Sequence, residues 1–397
     1  MADLAAFKRD ARAWLEDNCP LSIRQPNRTA GDTVLAGPNK QFPNKDAEVW
    51  FQRMLEKRWI TPGWPAEYGG GGLSAGEAKI LKREMARLKC PSPVFDQGQA
   101  YFGPVIMEYG TEAQKMQHLP PITRGDTRWC QGYSEPGAGS DLASLKARAD
   151  DKGDHFLVNG TKIWTSGADK SDWIFCLVRT DFDARKQKGI SVLLIDMKSE
   201  GISTAPIELI SGKSEFCQTF LDDVKVPKEN LLGELNNGWG IAKRVLQFER
   251  KLMSGEEFFT AQGPDVVATA KKYLGTDEYG KIKNRKLRSE ITRHLMHNHA
   301  DLLNGTRIFF SAKTEDADPN LPLIMKYSAT TELKNRDELM LSILGNRGLS
   351  WEDDEFNREE KIASQSWATT KAYTIAGGTS EVQLNIIARR ALGLPSR

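Results

Sequence analysis

Apolar residues recur at helical spacing from Trp50 to Trp59, the period that aligns one face of an α-helix. Gly63-Trp64-Pro65 and Gly69 to Gly72 break that run, and Ala75 to Leu88 resumes it until Pro91 to Pro93. Two shorter helical segments flank Gly110 between Gly103 and Leu119. Near Trp129 the pattern changes to short β-branched and aromatic runs. His155–Val158 and Thr161–Thr165 enclose Asn159-Gly160, a pair suited to a type I′ turn, so this stretch predicts a hairpin. Trp173–Arg179, Ile190–Met197, Thr204–Ile210 and Gln218–Val226 predict further strands. Short strands this closely spaced fit a small antiparallel barrel or sandwich. Beyond Leu231 the spacing is helical again to the end. The expected fold is mixed α and β: an N-terminal helical domain over 1–125, a middle β-domain over 126–232 and a C-terminal helical bundle over 233–397.

Composition narrows the function. The 397 residues carry 55 Lys+Arg against 53 Asp+Glu, a net charge of +2, which gives no basic excess for nucleic acid or an anionic membrane. The longest apolar stretches have core-strand length, too short to span a bilayer. Met1 to Trp14 mixes Asp3, Lys8, Arg9 and Asp10 into helical spacing, so it reads as a first helix rather than a signal peptide. Cysteines 19, 90, 130, 176 and 217 are scattered and contain no C-x-x-C pair. That usage fits a reducing, cytoplasmic compartment without disulfides or zinc. His294, His297 and His299 are spaced like metal ligands, but a solvated helical face is the plainer reading, and no metal is expected.

Four segments carry candidate chemistry. Gln131 to Asp141 holds Gly137 and Gly139, where backbone can approach a ligand closely, with Ser134 and Ser140 offering hydroxyls. A plain glycine-rich turn has the same composition. Trp164-Thr165-Ser166 places an aromatic residue before two hydroxyls, although a strand tryptophan is usually core. Glu249 shares a helical face with Ile241, Val245, Leu252 and Met253. A carboxylate on an apolar stripe is costly unless it is paired or functional, and its partner, if any, must come from another segment. The run Ala376 to Gln383 opens a final helix and reads either as a polar-edge site or as a simple cap.

Together these segments resemble the acyl-CoA dehydrogenase family. The Y-S-E-P-G-A-G-S-D run from Tyr133, the N-G-T-K-I-W-T-S run from Asn159 and the G-G-T-S-E-V-Q run from Gly377 stand in the family's order and spacing. Gly63 to Gly70, Gly103-Pro104 and Tyr109 to Lys115 add supporting matches, so the likeness covers nearly the whole chain. It implies a helical domain, a middle antiparallel β-barrel domain and a C-terminal four-helix bundle. It implies FAD as cofactor, with Gln131, Gly132, Tyr133, Ser134 and Gly139 along the isoalloxazine and Trp164 on the ring face away from substrate. Thr165 and Ser166 lie near N5 and O4 in that scheme. Gly345, Gly377, Thr379 and Glu381 contact the cofactor, while Ser140 and Arg250 serve the acyl-CoA.

The resemblance also bears on the base. Many members keep a glutamate just before G-T-S, where this chain has Gly377. A second group carries the base in an E-R pair on the first long C-terminal helix, and Glu249-Arg250 stands there. The implied reaction is α,β-dehydrogenation to a trans-2-enoyl-CoA, with an electron-transferring flavoprotein as acceptor. The enolate would meet a ribityl hydroxyl and the Gly377 N–H. Glycine at 377 frees space for a bulky acyl group, and the chain is most similar to the large subunits of dicarboxyl-CoA and steroid side-chain dehydrogenases. Where members place an arginine that reaches the neighbouring subunit's pyrophosphate, this chain has Thr276, followed by Asp277 and Glu278. That departure points to an α₂β₂ heterotetramer rather than a homo-oligomer, unless Lys281, Lys283 or Arg285 substitutes. Two other readings remain: a non-catalytic subunit, and a flavin oxidase or monooxygenase on the same scaffold.

Overall fold

The computed structural model describes residues 3–24, 33–212, 214–253, 264–311 and 320–395, with the side chains of 250–253, 309–311 and 321 outside the description. The chain divides into two compact units. The first holds residues up to 209 and 214–248; the second holds 210–213 and 249 onward.

The first unit opens with five helices: α1 (Leu4–Asn18), α2 (Lys45–Glu56), α3 (Ala75–Arg87), α4 (Gly103–Tyr109) and α5 (Glu112–Thr123). Their starts follow from side chains that satisfy the unpaired first-turn N–H groups. Asp3 caps α1 and Asn44 caps α2, while Ser74 with Glu77 and Thr111 with Gln114 form reciprocal capping boxes on α3 and α5. The segment predicted to stop at Leu119 continues through Pro120 and Pro121. The Tyr109–Lys115 motif also does structural work: the Gln114 amide donates to the carbonyls of Glu229 (2.6 Å) and Leu231 (2.9 Å), tying α5 to the end of the β-region. Gly103 is fixed by contact, since a Cβ there would lie 2.0 Å from the Trp64 ring.

Eight strands follow: β1 (Trp129–Gly132), β2 (Arg148–Asp151), β3 (His155–Ser166), β4 (Trp173–Arg179), β5 (Ile190–Asp196), β6 (Ile202–Ile207), β7 (Phe216–Pro227) and β8 (Leu231–Leu232). They form one sheet in the order β6-β7-β3-β2-β4-β5-β8, with β1 beside β4. Most pairings are antiparallel, but β1 and β2 run parallel to β4, and the path is open rather than closed into a barrel. The run Phe175, Leu177, Ile190, Val192 and Leu194 faces the helices, and Phe102 stacks on Phe175 with centroids 4.7 Å apart. Strands β4 and β5 are buried along nearly their whole length, which is why they read as unbroken apolar runs.

The predicted Asn159-Gly160 hairpin is absent. Residues 155–166 form one continuous strand paired with β7, and the register shifts between Val158 and Gly160. Gly160 is required there because φ is +155° and a Cβ would lie 2.7 Å from Ala147. The pair marks a bulge and a close backbone approach, and the hairpin turn lies instead between β2 and β3.

Helix α6 (Gly238–Met253) buries Ile241, Ala242 and Val245 in the first unit's core, and the division between units falls at its residue 249. The second unit contains α7 (Val266–Leu274), α8 (Arg285–Ser311), α9 (Leu321–Leu344), α10 (Arg358–Tyr373) and α11 (Ser380–Arg390). Its core joins Val266, Ala270, Ile291, Met340, Ile343 and Ala363, with α9 packed against each of the other four helices. The histidine cluster is a solvated face in part: His297 and His299 are exposed, but His294 is not. His294 is buried, and its Nδ1 lies 2.6 Å from Glu332 Oε1 on α9, whose second oxygen is 3.3 Å from His297 Nδ1. A carboxylate does join these histidines, but no three-residue metal-binding group occurs among the described residues.

Candidate active site

In the first unit the site is a loop and a strand held together by a buried ion pair. Gln131 and Gly132 end β1, paired with Phe175 and Cys176 of β4. Tyr133 is buried against Phe175, with ring centroids 6.3 Å apart. The next turn closes on itself, because Glu135 and Ala138 exchange two 3.0 Å backbone hydrogen bonds. Gly137, Gly139 and Ser140 are exposed, and a Cβ at either glycine would meet nothing within 4 Å. The glycines therefore keep one side of the loop open.

Glu135 anchors this loop, a role the sequence did not reveal. Its carboxylate accepts from the backbone N–H of Lys146 (2.6 Å) and Ala147 (2.8 Å) and from the Lys162 ammonium (2.8 Å). Lys162 has no exposed surface and also donates to the Tyr133 carbonyl at 3.3 Å. The Ser134 carbonyl accepts from the Ile163 N–H at 2.9 Å, so the loop lies directly beside β3.

That contact delivers the loop next to Trp164. The β3–β7 register shifts again between Lys162 and Thr165, and at this bulge Trp164 takes φ +60°. Left-handed backbone is an outlier for a bulky residue and costs on the order of 1–3 kcal/mol, so it persists where surrounding structure enforces it. Here the bulge turns the indole outward: Trp164 is 52% exposed, edge-on to Phe216 at 6.2 Å. It is not the core residue that a strand tryptophan usually is. Thr165, by contrast, is fully buried, and its hydroxyl has no hydrogen-bond partner among the described residues. Ser166 is half-buried. An outward aromatic face, an open glycine loop and the half-buried Ser166 hydroxyl fit a planar cofactor with polar edges.

The second unit holds the remaining candidates. Glu249 is half-buried on α6, four residues after the fully buried Val245. The apolar stripe is therefore real on its N-terminal side, while the side chains of Arg250, Leu252 and Met253 lie outside the described residues. Gly345 follows the last residue of α9 at φ +57° and is exposed. Gly377 (φ +65°) and Gly378 (φ +100°) turn the chain from α10 into α11. Thr379 caps α11, its hydroxyl accepting the Val382 N–H at 3.2 Å. Glu381 is exposed, and bonds from its own N–H and from the Thr379 hydroxyl hold its carboxyl below the usual range. Thr379 thus caps the helix and bonds Glu381, and the exposed Glu381 leaves the polar-edge reading standing beside the cap.

Comparison with known proteins matches these features over the whole chain. Models of the acyl-CoA dehydrogenase N-terminal, middle and C-terminal domains match residues 5–126, 130–224 and 236–392. The acyl-CoA dehydrogenase IpdE1 of Mycobacterium tuberculosis is 33% identical over 399 residues, covering 100% of this chain and 99% of the relative. Among solved structures, the Tcur3481-Tcur3483 steroid ACAD superposes with a TM-score of 0.78 at 30% identity, covering 100% of this chain and 99% of that one. The ChsE4-ChsE5 complex from Mycobacterium tuberculosis gives a TM-score of 0.74 at 27% identity, covering 100% and 99%. An oxidoreductase scaffold acting on CH–CH bonds accounts for the fold and the motifs alike, and the chain belongs to the acyl-CoA dehydrogenase family.

Proposed function

We propose that the chain catalyses FAD-dependent α,β-dehydrogenation of a bulky acyl-CoA thioester to a trans-2-enoyl-CoA, with Glu249 as base. The observation that carries this reading is Trp164, turned out of the core at a strained bulge beside the open Gln131–Ser140 loop. FAD, when bound, supplies the hydride acceptor at N5. The chain's own residues do the rest. Trp164 would cover one face of the ring, Ser134 and the loop backbone would meet its polar edge, and the half-buried Ser166 would offer a hydroxyl, with the fully buried Thr165 beneath it. Ser140 is exposed and would serve the CoA moiety, as the resemblance implies. The α-proton of a thioester is too weakly acidic for a carboxylate in water, so donors fixed beforehand must stabilise the enolate oxygen. The Gly377 N–H is the chain's donor for that oxygen, and Glu249 accepts the α-proton. An electron-transferring flavoprotein would be the electron acceptor.

Under anaerobic conditions, branched, ring-bearing or ω-carboxylated acyl-CoA thioesters should bleach the flavin at least tenfold faster than straight-chain ones. Trp164→Ala should retain flavin roughly tenfold more weakly, from loss of aromatic stacking, and reoxidise faster in air. If no acyl-CoA bleaches the flavin, the non-catalytic reading stands instead; wild-type reduction followed by rapid reoxidation in air marks an oxidase.

For assembly, the proposal is a heterotetramer with a second acyl-CoA dehydrogenase-like chain. Thr276 pairs with Ile282 across a tight turn, and the Asp277 carboxylate accepts the N–H of Tyr279 and of Lys281. No guanidinium stands at 276 to meet a neighbour's pyrophosphate, a charge-assisted contact worth about 1.5–3 kcal/mol. Lys281 and Arg285 line one groove with Arg288 and Arg293, and these two or the exposed Lys283 are what a homo-oligomer would have to use. Expressed alone, the chain should carry much less than one flavin per chain and recover flavin and activity with its partner. A fully loaded, active homotetramer by native mass would sink the heteromeric reading.

A further inference from the structure

The second unit buries a lysine that neither helical periodicity nor any motif marks. Lys326 lies in the second turn of α9 and is 6% exposed. An ammonium withdrawn from water is costly unless its protons find acceptors. Its Nζ donates to the Tyr373 carbonyl at 2.9 Å and to the Gly378 carbonyl at 2.8 Å. Tyr373 is the last residue of α10, so its carbonyl lies at the negative end of that helix dipole. Gly378 belongs to the turn that leads into α11. One ammonium therefore ties α9, the end of α10 and the Gly377–Gly378 turn together.

Burial pushes the Lys326 ammonium below its ordinary value, and the negative charge of Glu249 on α6 acts against that push. The buried acids Asp301 of α8 and Glu332 of α9 are otherwise engaged: Asp301 bonds Ser328, and Glu332 bonds His294 and His297. Taking Glu249 as the base, we infer that Lys326 is a positioning residue for the reaction. It fixes the turn that carries the Gly377 N–H, and its positive charge acts on the Glu249 carboxylate through space. A nearby cation favours the charged form of a carboxylate. With Lys326 neutralised, Glu249 would hold its proton to higher pH, so the acidic limb of the rate profile must move upward.

The test uses Lys326→Met and Lys326→Arg holoenzymes, each with and without Glu249→Gln, and follows flavin reduction against pH together with melting temperature. Lys326→Met should move the acidic limb up by about one pH unit, whereas Lys326→Arg, which keeps the charge, should leave it in place. Lys326→Met should also lower the melting temperature by a different amount in the Glu249→Gln background, because the two charges act on each other. If Lys326→Met does not fold, Lys326→Gln serves, and the same upward shift is expected. An unmoved limb with inactive Glu249→Gln overturns the role of Lys326 alone. A Glu249→Gln enzyme of near wild-type rate overturns the base assignment and this role with it.

Discussion

Glu249→Gln should retain the yellow flavin spectrum and lose about three orders of magnitude in the rate of flavin reduction by acyl-CoA, within the range a positioned base supplies. The substitution is nearly isosteric, so it leaves the packing of α6 unchanged while removing the proton acceptor. Val245, one turn earlier, is fully buried and holds the helix in place whichever side chain stands at 249. Gly377 occupies the position where many family members carry the carboxylate, so that turn offers no replacement base. Anaerobic stopped-flow absorbance measures the effect directly. A variant within about tenfold of wild type would show that another group takes the α-proton. Restoring a carboxylate by Gly377→Glu in the Glu249→Gln background is a harder test. Gly377 sits at φ +65°, so a side chain there is strained, and the double variant should recover little.

The sequence disclosed most where structure is local. Strand β4 was legible residue for residue and β5 to within one, because both are continuous apolar runs bounded by turn residues. Helices α3 and α5 announce their starts through Ser74 and Thr111, each followed three residues later by a side chain that completes the cap. The errors came where distant chain decides. Asn159-Gly160 has turn chemistry, but pairing with β7 and contact with Ala147 make it a bulge inside a strand. The site motifs stood out as runs, yet their geometry did not. Nothing local says that Trp164 turns outward, since that depends on a register shift against β7. Glu135 and Lys162 are 27 positions apart, and Lys326 reaches carbonyls 47 and 52 positions away. His294 read as solvated only because Glu332 lies on a different helix.

Glu135→Ala should destabilise the first unit by about 3–5 kcal/mol, the cost of leaving one member of a buried ion pair without its partner. Lys162 has no exposed surface, so water cannot take the place of the lost carboxylate, and the weak contact to the Tyr133 carbonyl would be its remaining acceptor. The backbone N–H groups of Lys146 and Ala147 would lose their acceptor as well. Thermal unfolding should show a fall of roughly 10 °C for a unit of this size. The two charges contribute mainly through each other, so Glu135→Gln with Lys162→Met should recover much of the loss: the amide oxygen still accepts one backbone N–H and no buried charge is left alone. The double variant separates stability from function. Its loop would lack the ion pair that fixes the Tyr133–Ser140 turn against β3, so flavin retention should stay below wild type even where the melting temperature has returned. A Glu135→Ala protein within about 1 kcal/mol of wild type would mean that the pair is not fully desolvated and that the loop is held by Tyr133 packing and the Ser134–Ile163 bond instead.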